Sequence, residues 1–153
     1  MCRALGSTVE PTKGSKWELS YTAIDLTPLG EELFQRKSPI HLHQMHQDHV
    51  INAPSSNTSK LLMDDEEVYI WGSSDTTPIQ GVYLKDRLFT SQGHLGYDEK
   101  MVRKHVEHRN EKGLVENDTK VEEAIEKSGW KHDGQVVANS ILRFFHGDDR
   151  ELS

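Results

Sequence analysis

The stretch IHLHQMHQDHV, residues 40–50, decides how this sequence is interpreted, because it combines a candidate strand with an unusual density of ligand-type side chains. Ser38 and Pro39 break the chain just before it, and residues 40–45 then favour a strand. Four histidines and one aspartate lie within residues 41–50. Imidazole and carboxylate groups are common zinc ligands, so a metal site is the first hypothesis.

The spacing of these side chains argues against a metal. The metallo-β-lactamase superfamily uses H-x-H-x-D-H, and Gln44 stands where its first histidine should be, ahead of His46, Asp48 and His49. A glutamine amide is a poor zinc ligand beside imidazole or carboxylate. His43 would need a register shift of one residue, which turns a strand side chain to the opposite face. We therefore expect no metal and no other cofactor, and a metal-dependent hydrolase is only a remote alternative.

Upstream of this stretch, the apolar residues predict a strand followed by a short helix. Over residues 17–26 they alternate with polar residues, which places on one sheet face Trp17, Leu19, Tyr21 and Ala23. Thr27 and Pro28 predict the N-cap and the first position of a helix that runs through Phe34. Downstream, residues 53–60 are turn formers without periodicity and predict a loop.

Three short β-like runs, and then three helices, follow that loop. Lys85 and Asp86 separate alternating runs at residues 79–84 and 87–91, which predicts a hairpin. The helices are expected after His94, and their predicted caps are Asp98, Thr119 and Asp133. Strands followed by helices predict an α/β or α+β domain.

The bulk composition excludes several classes of partner. A net charge of -7, with 25 acidic and 18 basic residues, argues against nucleic acid and against anionic membranes. No apolar run approaches the roughly 20 residues needed to cross a bilayer, and no cleavable signal pattern is present, so we expect a cytoplasmic protein. The single cysteine, Cys2, excludes an internal disulfide and a cysteine zinc cage.

Four motifs occur in a diagnostic order along nearly the whole chain: CRALG at residues 2–6, QMHQDHV at 44–50, SSDTTPIQG at 73–81 and QGHLGYDE at 92–99. In this order they resemble the C-terminal part of class I glutamine amidotransferases, especially the stand-alone, GMP-synthase-like proteins of fungi. The resemblance implies an α/β fold over residues 1–147: a partial flavodoxin-like domain with a mixed sheet, a β-hairpin and C-terminal helices. A disordered tail is expected at residues 148–153.

The resemblance also implies the family reaction, in which glutamine is hydrolysed to glutamate and ammonia for transfer to an acceptor, in a biosynthetic or natural-product pathway. A thiolate attacks the side-chain amide, an imidazole shuttles the proton, and a glutamate orients the imidazole. His94 matches the family histidine, whereas Gly96 stands at the glutamate position, with Asp98 or Glu99 as candidate substitutes. The matching glutamine-side pocket consists of Met45, His46, Gln47 and Asp48.

The resemblance places the family nucleophile in a G-x-C-x-G-x-Q elbow just before CRALG, the segment at which this sequence begins. Cys2 therefore matches a helix position beyond the nucleophile. We expect a truncated or degenerate family domain without autonomous glutaminase activity, whose exposed sheet edges favour a homo-oligomer, a synthase or a complementing chain as partner. The alternative function is that of a non-catalytic binding or scaffolding module with the same fold.

Overall fold

Seven strands and four α-helices make up the computed structural model over the residues that it describes, 1–115 and 118–148. The strands are β1 (Val9–Pro11), β2 (Glu18–Leu26), β3 (Ile40–His46), β4 (Asp48–Val50), β5 (Tyr69–Ser73), β6 (Gly81–Leu84) and β7 (Leu88–Phe89). The α-helices are α1 (Pro28–Phe34), α2 (Glu99–Glu111), α3 (Asp118–Glu126) and α4 (Gly134–His146). Short 3-10 helices lie at Cys2–Leu5 and Lys127–Gly129. Of the tail expected at residues 148–153, all but Asp148 lies outside the described residues.

The strands form a main sheet in the order β3-β2-β5-β6-β7 and a small sheet in which β1 pairs with β4. Its longest pairing joins β2 to β3, from Glu18 opposite His46 to Ile24 opposite Ile40. Every strand pair within the described residues is antiparallel. The predicted α/β class is correct, but in this part of the chain the sheet is antiparallel rather than mixed.

Strand β3 runs back along β2, with Ile24 near the end of β2 opposite Ile40 at the start of β3. A parallel crossover would have to carry the chain back along the nine residues of β2, a distance of about 30 Å. The seven residues of α1 rise only about 10 Å, so this short helix favours the antiparallel pairing.

Local signals for turns and helix starts are confirmed at several positions. The Thr27 side chain accepts a hydrogen bond from the Gly30 N–H at 3.1 Å, with Pro28 in the first turn of α1. The hairpin pairs Leu84 with Leu88. Asp98 Oδ1 accepts from the Met101 N–H at 2.7 Å and caps α2 as predicted.

Two predicted caps act differently from the expectation. The helix α3 begins at Asp118, so Thr119 lies inside the helix and is not its N-cap. Asp133 stands at the N-cap position of α4 but makes no side-chain cap bond. Instead, its carboxylate accepts a hydrogen bond from the His41 N–H at 2.9 Å and pairs with Arg36, because these partners from β3 and the α1–β3 loop lie within reach.

The strand β2 buries the face opposite to the predicted one. Glu18, Ser20 and Ile24 are buried, whereas Ala23 is exposed. The prediction assigned the apolar residues to the core, but two inward positions carry polar groups with buried partners. Ser20 Oγ, for example, donates to the Ala124 carbonyl at 2.8 Å. The other face is also partly covered, since Trp17 packs against the cluster formed by α2 and α3.

The apolar side chains form three clusters around the main sheet. Helices α1 and α4 cover one cluster, centred on Ile24, Leu42, Trp71 and Val137. Helices α2 and α3 cover a second, which contains Met45, Val102, Val106 and Val121. A third packs beneath the N-terminal 3-10 helix and includes Cys2, Leu62, Val82 and Leu84. None of the helices within the described residues combines the length and apolar character that crossing a bilayer requires.

Backbone groups from two loops bond to the outer edge of β3. The His94 N–H donates to the His43 carbonyl at 2.9 Å, and the Asp133 N–H donates to the His41 carbonyl at 2.7 Å. This edge, which the sequence predicts to be exposed, is therefore partly closed. The same bonds attach the QGH turn and the start of α4 to β3.

Candidate functional site

The buried carboxylate of Glu18 accepts hydrogen bonds from polar side chains of the SSDTTPIQG motif. It is only 5% exposed. Its Oε1 accepts from Ser74 Oγ at 2.5 Å, and its Oε2 accepts from Thr77 Oγ1 at 2.6 Å. Gln80 Nε2 lies 3.3 and 3.2 Å from the two oxygens. Since an ionised carboxylate is stable in the interior only when its oxygens are compensated, these donors fix the motif against β2.

The same carboxylate connects this motif to QMHQDHV. Gln44 Nε2 donates to Gln80 Oε1 at 3.0 Å, and His46 Nε2 lies 3.1 Å from Glu18 Oε2. Burial raises the pKa of Glu18, but hydrogen bonds from His46, Ser74 and Thr77 and the charge of His46 together outweigh burial and hold that pKa below its usual range. Glu18 is therefore an anion at neutral pH.

The four histidines of residues 41–49 point into separate surroundings. The His41 ring stacks on Tyr21 with a centroid distance of 4.6 Å. The His43 ring is buried against His132, at 4.8 Å, and its Nδ1 has no hydrogen-bond partner. His46 faces Glu18, and His49 Nδ1 lies 3.2 Å from the Thr76 carbonyl. Within the described residues, no three His, Cys, Asp or Glu side chains form a group that could hold a metal ion.

A cleft of about 410 Å³ brings two of the motifs together. Its lining includes Cys2, His46, Asp48, Ser91 and Gln92. Gln92 Nε2 donates to the Asp48 carbonyl at 3.1 Å, and that carbonyl also lies 3.1 Å from His46 Nδ1. The first residue of QGH and the last residues of QMHQDHV therefore form one wall.

Two of the four predicted pocket residues lie elsewhere. Met45 is 6% exposed and packs in the apolar cluster under α2 and α3. Gln47 Nε2 donates to the Ser15 carbonyl at 2.5 Å, and Gln47 lines a different cavity. Neighbouring strand residues point to opposite faces, so a continuous run cannot line a single pocket. Only His46 and Asp48 meet at the cleft.

Gly93 allows the QGH turn to lie directly on β3. A Cβ at this position would be 2.7 Å from Leu42 Cδ1 and 2.9 Å from Leu42 Cβ, closer than real side chains approach. The absence of a side chain therefore permits the bond between the His94 N–H and the His43 carbonyl.

The half-buried His94 ring has the properties of a base at neutral pH. Burial lowers its pKa, and the positive charges of His46, His105 and Arg109 lower it further. Its ring lies face to face with Tyr97, with a centroid distance of 4.0 Å and an interplanar angle of 1°. Within the described residues, no carboxylate hydrogen-bonds to the ring. A neutral imidazole with a free nitrogen can accept a proton from a reacting group.

Empty space surrounds Gly96, the position at which the resemblance expects the orienting glutamate. A Cβ on Gly96 would meet no atom within 4 Å, and Gly96 borders a cavity of about 490 Å³. The candidate substitutes have other partners, since Asp98 caps α2 and Glu99 pairs with Arg103 at 3.3 Å. Neither carboxylate therefore takes over the role that the resemblance gives to a glutamate at position 96.

Sequence reasoning missed Glu18 and Gln80, and it gave no role to Tyr97. An acidic residue between Trp17 and Leu19 matches the polar face of an alternating strand, so the pattern concealed its burial. Gln80 belongs to a recognised motif, which was the available signal. The single cysteine is 7% exposed and packs in the third apolar cluster, and it also borders the cleft.

Comparison with known proteins identifies a relative in fission yeast. A glutamine amidotransferase-like protein of Schizosaccharomyces pombe is 30% identical over 128 residues. The match covers 84% of this chain but only 46% of the yeast protein, so the chain spans about half the length of its relative. No family model matches the sequence.

Solved structures share the fold at low sequence identity. A glutamine amido transferase from Methylobacillus flagellatus superposes with a TM-score of 0.69 and 14% identity, over 95% of this chain and 58% of that protein. A glutamine amidotransferase from Thermotoga maritima gives a TM-score of 0.63 and 12% identity, over 99% of this chain and 57% of the other. These likenesses confirm the predicted fold and again cover only part of each neighbour.

The substitution Glu18→Gln should lower the free energy of unfolding by about 2–4 kcal/mol, because an amide NH₂ would face donors that now bond a carboxylate. Urea denaturation at pH 7 measures this change. Glu107→Gln, at an exposed position of α2, is the matched control and should stay within about 0.5 kcal/mol of the wild type. Equal stability of the two variants would show that the Glu18 network contributes nothing.

The substitution His43→Gln should reduce the sensitivity of stability to acid. Burial and the charges of His132 and His94 lower the pKa of His43 from 6.5 to about 4. The unfolded chain therefore binds this proton first, so the free energy of unfolding falls as the pH drops from 6.5 towards 4.

Between pH 7 and pH 4.5 the wild type should lose about 2–3 kcal/mol more than His43→Gln, as measured by urea unfolding at each pH. His108→Gln, at an exposed position of α2, should retain the wild-type dependence. Parallel curves for the wild type and His43→Gln would contradict the assignment.

Proposed function

We propose, on the premise that this chain is related to glutamine amidotransferase-like proteins and has the fold of glutamine amidotransferases, that it forms the histidine-bearing part of a glutamine-hydrolysing site. The observation that carries the proposal is the hydrogen bond from Gln92 of QGH to the Asp48 carbonyl of QMHQDHV at one cleft. His94, two residues after Gln92, does not line this cleft, but its ring is close enough to His46 for the charge of His46 to lower its pKa. The chain spans only part of its relatives, so the activity of the whole protein is part of the proposal.

In this mechanism His94 acts first as a base and then as an acid. It accepts the proton of a cysteine thiol, and the resulting thiolate attacks the side-chain carbonyl carbon of glutamine. The imidazolium then protonates the leaving amide nitrogen, which departs as ammonia and leaves a thioester. Water, deprotonated by the neutral imidazole, hydrolyses the thioester to glutamate and restores the thiol.

The reacting thiol comes from polypeptide outside residues 1–153. Cys2, the only cysteine of this sequence, is packed among apolar side chains and lies in a 3-10 helix rather than in a strand-to-helix elbow. We therefore assign the nucleophile to a second segment or chain that completes the site.

His46 and Asp48 form the glutamine-side wall. The His46 ring lies between the Glu18 carboxylate and the Asp48 carbonyl, with a ring nitrogen 3.1 Å from an oxygen of each. The Asp48 residue is exposed and borders the cleft, where its negative charge suits the α-ammonium group of glutamine. The ammonia passes to an acceptor in a biosynthetic or natural-product pathway, through a synthase domain or a partner synthase.

A second function, that of a non-catalytic binding or scaffolding module, is favoured by one observation. The space beside Gly96 is open, and within the described residues no carboxylate orients His94. Such a module would keep the cleft and the fold without turnover. The two functions differ in whether glutamine is hydrolysed.

Protein purified from its native host, with any completing polypeptide present, should release ammonia and glutamate from glutamine. His94→Ala should lower the rate about 10²- to 10⁴-fold, because general acid–base catalysis is lost. Cys2→Ser should leave the rate unchanged. His108→Ala is the matched control and should match the wild type.

Equal rates for His94→Ala and the wild type would refute the proposed role of His94. Complete absence of glutamine-dependent ammonia release from the native assembly would favour the non-catalytic module.

The substitution Gly96→Glu should raise the pKa of His94 above that of the wild type, because a carboxylate beside an imidazole favours its charged form. The open space at this position accepts a side chain. NMR titration of the His94 ring protons measures the shift, with Gly96→Gln as an uncharged control of equal size. Identical titration curves for the two variants would show that residue 96 does not face the His94 ring.

A further inference from the structure

The His94 ring stands at one end of a column of side chains that reaches across α2 to Trp17, the residue before β2. The Tyr97 ring stacks on His94 at 4.0 Å and on His105 at 5.5 Å, with interplanar angles of 1° and 8°. Arg109 Nη1 lies 3.3 Å from His105 Nδ1, and the Arg109 guanidinium lies 5.2 Å from the centre of the Trp17 ring. We call these five residues the aromatic column.

We propose that Tyr97 is a positioning residue for His94, and that the aromatic column sets the plane of the imidazole where an orienting carboxylate is lacking. The inference rests on the proposed function and adds to it a residue to which the sequence motifs give no role. A carboxylate orients an imidazole through one ring nitrogen. Face-to-face stacking constrains the ring plane and leaves both nitrogens available.

Both ends of the column are held by independent contacts. At one end, the His94 N–H is bonded to the His43 carbonyl of β3. At the other, Trp17 Nε1 donates to the Leu114 carbonyl at 2.9 Å. Trp17 and Tyr97 also pack against the apolar cluster under α2 and α3. A stack held at its two ends restricts ring rotation more than an isolated pair would.

The middle of the column is rigid because it belongs to a capped helix. His105 and Arg109 lie four positions apart on α2 and are therefore on the same face of the helix. Asp98, directly after Tyr97, caps the first turn of that helix. The cap therefore fixes the backbone next to Tyr97, which lies directly before the first turn of α2.

The surroundings of the column favour the neutral form of His94, which the proposed mechanism needs at its first step. Burial of the His94 ring is the largest cause that lowers its pKa, and the charges of His46, His105 and Arg109 act in the same direction. Burial and the charges of His132 and His94 likewise lower the pKa of His43 on β3. The column therefore places the Arg109 guanidinium behind the tyrosine, where it disfavours protonation of His94 without bonding to its nitrogens.

The experiment compares Tyr97→Leu with Tyr97→Phe by NMR of the His94 ring in the purified 153-residue chain. Tyr97→Phe keeps the stacked ring and should leave the His94 ring-proton shifts close to those of the wild type. Tyr97→Leu removes the ring current, so the same protons should move downfield. In the native assembly, Tyr97→Leu should lower kcat about 10- to 100-fold with little change in KM, and Tyr97→Phe should restore it.

If Tyr97→Leu does not fold, His105→Ala removes the support behind Tyr97 and should broaden or shift the His94 ring signals, whereas His105→Phe should preserve them. Unchanged His94 signals in the folded Tyr97→Leu or His105→Ala variant would overturn the inference, as would equal losses in Tyr97→Leu and Tyr97→Phe. The NMR comparison needs no turnover. An inactive native protein with the expected shifts would refute the proposed function alone, and an active one without them would refute the positioning role.

Discussion

The rest of the candidate site depends on the compensation of one buried negative charge. Glu18 lies opposite His46 in the β2–β3 ladder, and its carboxylate takes hydrogen bonds from Ser74, Thr77 and Gln80. Without those donors, a carboxylate at this depth would be neutral or the surrounding chain would open to water. The need for donors draws the β5–β6 connection onto β2 and aligns Gln80 with Gln44, which brings the later motif beside the earlier one.

The polar side chains of strand β3 alternate between its two faces and so lie in two different environments. Gln44 and His46 face the Glu18 network, whereas His41 and His43 face Tyr21 and His132 on the other side. Residues that are dense in the sequence are thus distributed between two environments. One environment contains an anion with its donors, and the other contains a buried imidazole whose pKa is far below its usual value. The histidine-rich segment therefore borders two different environments.

Features determined by neighbouring residues could be predicted, and features determined by distant partners could not. The Thr27 cap, the Lys85–Asp86 hairpin and the Asp98 cap depend on contacts within a few positions, and all three are found. The burial of Glu18 depends on side chains 56 to 62 positions away. The Asp133 carboxylate is likewise drawn from its helix to the His41 N–H, 92 positions distant. The separation of Met45 and Gln47 from the cleft follows from side-chain alternation, which a motif written as a continuous string conceals.

The bond between the His94 N–H and the His43 carbonyl has a further consequence for assembly. A carbonyl on the outer edge of a sheet is the group that an added strand from another chain would use. Because the QGH turn already occupies it, a strand that paired with β3 at this position would have to displace His94. Strand addition at this edge and retention of the histidine in its present place are therefore competing events, so an association that extended the sheet here would move His94 away from Tyr97.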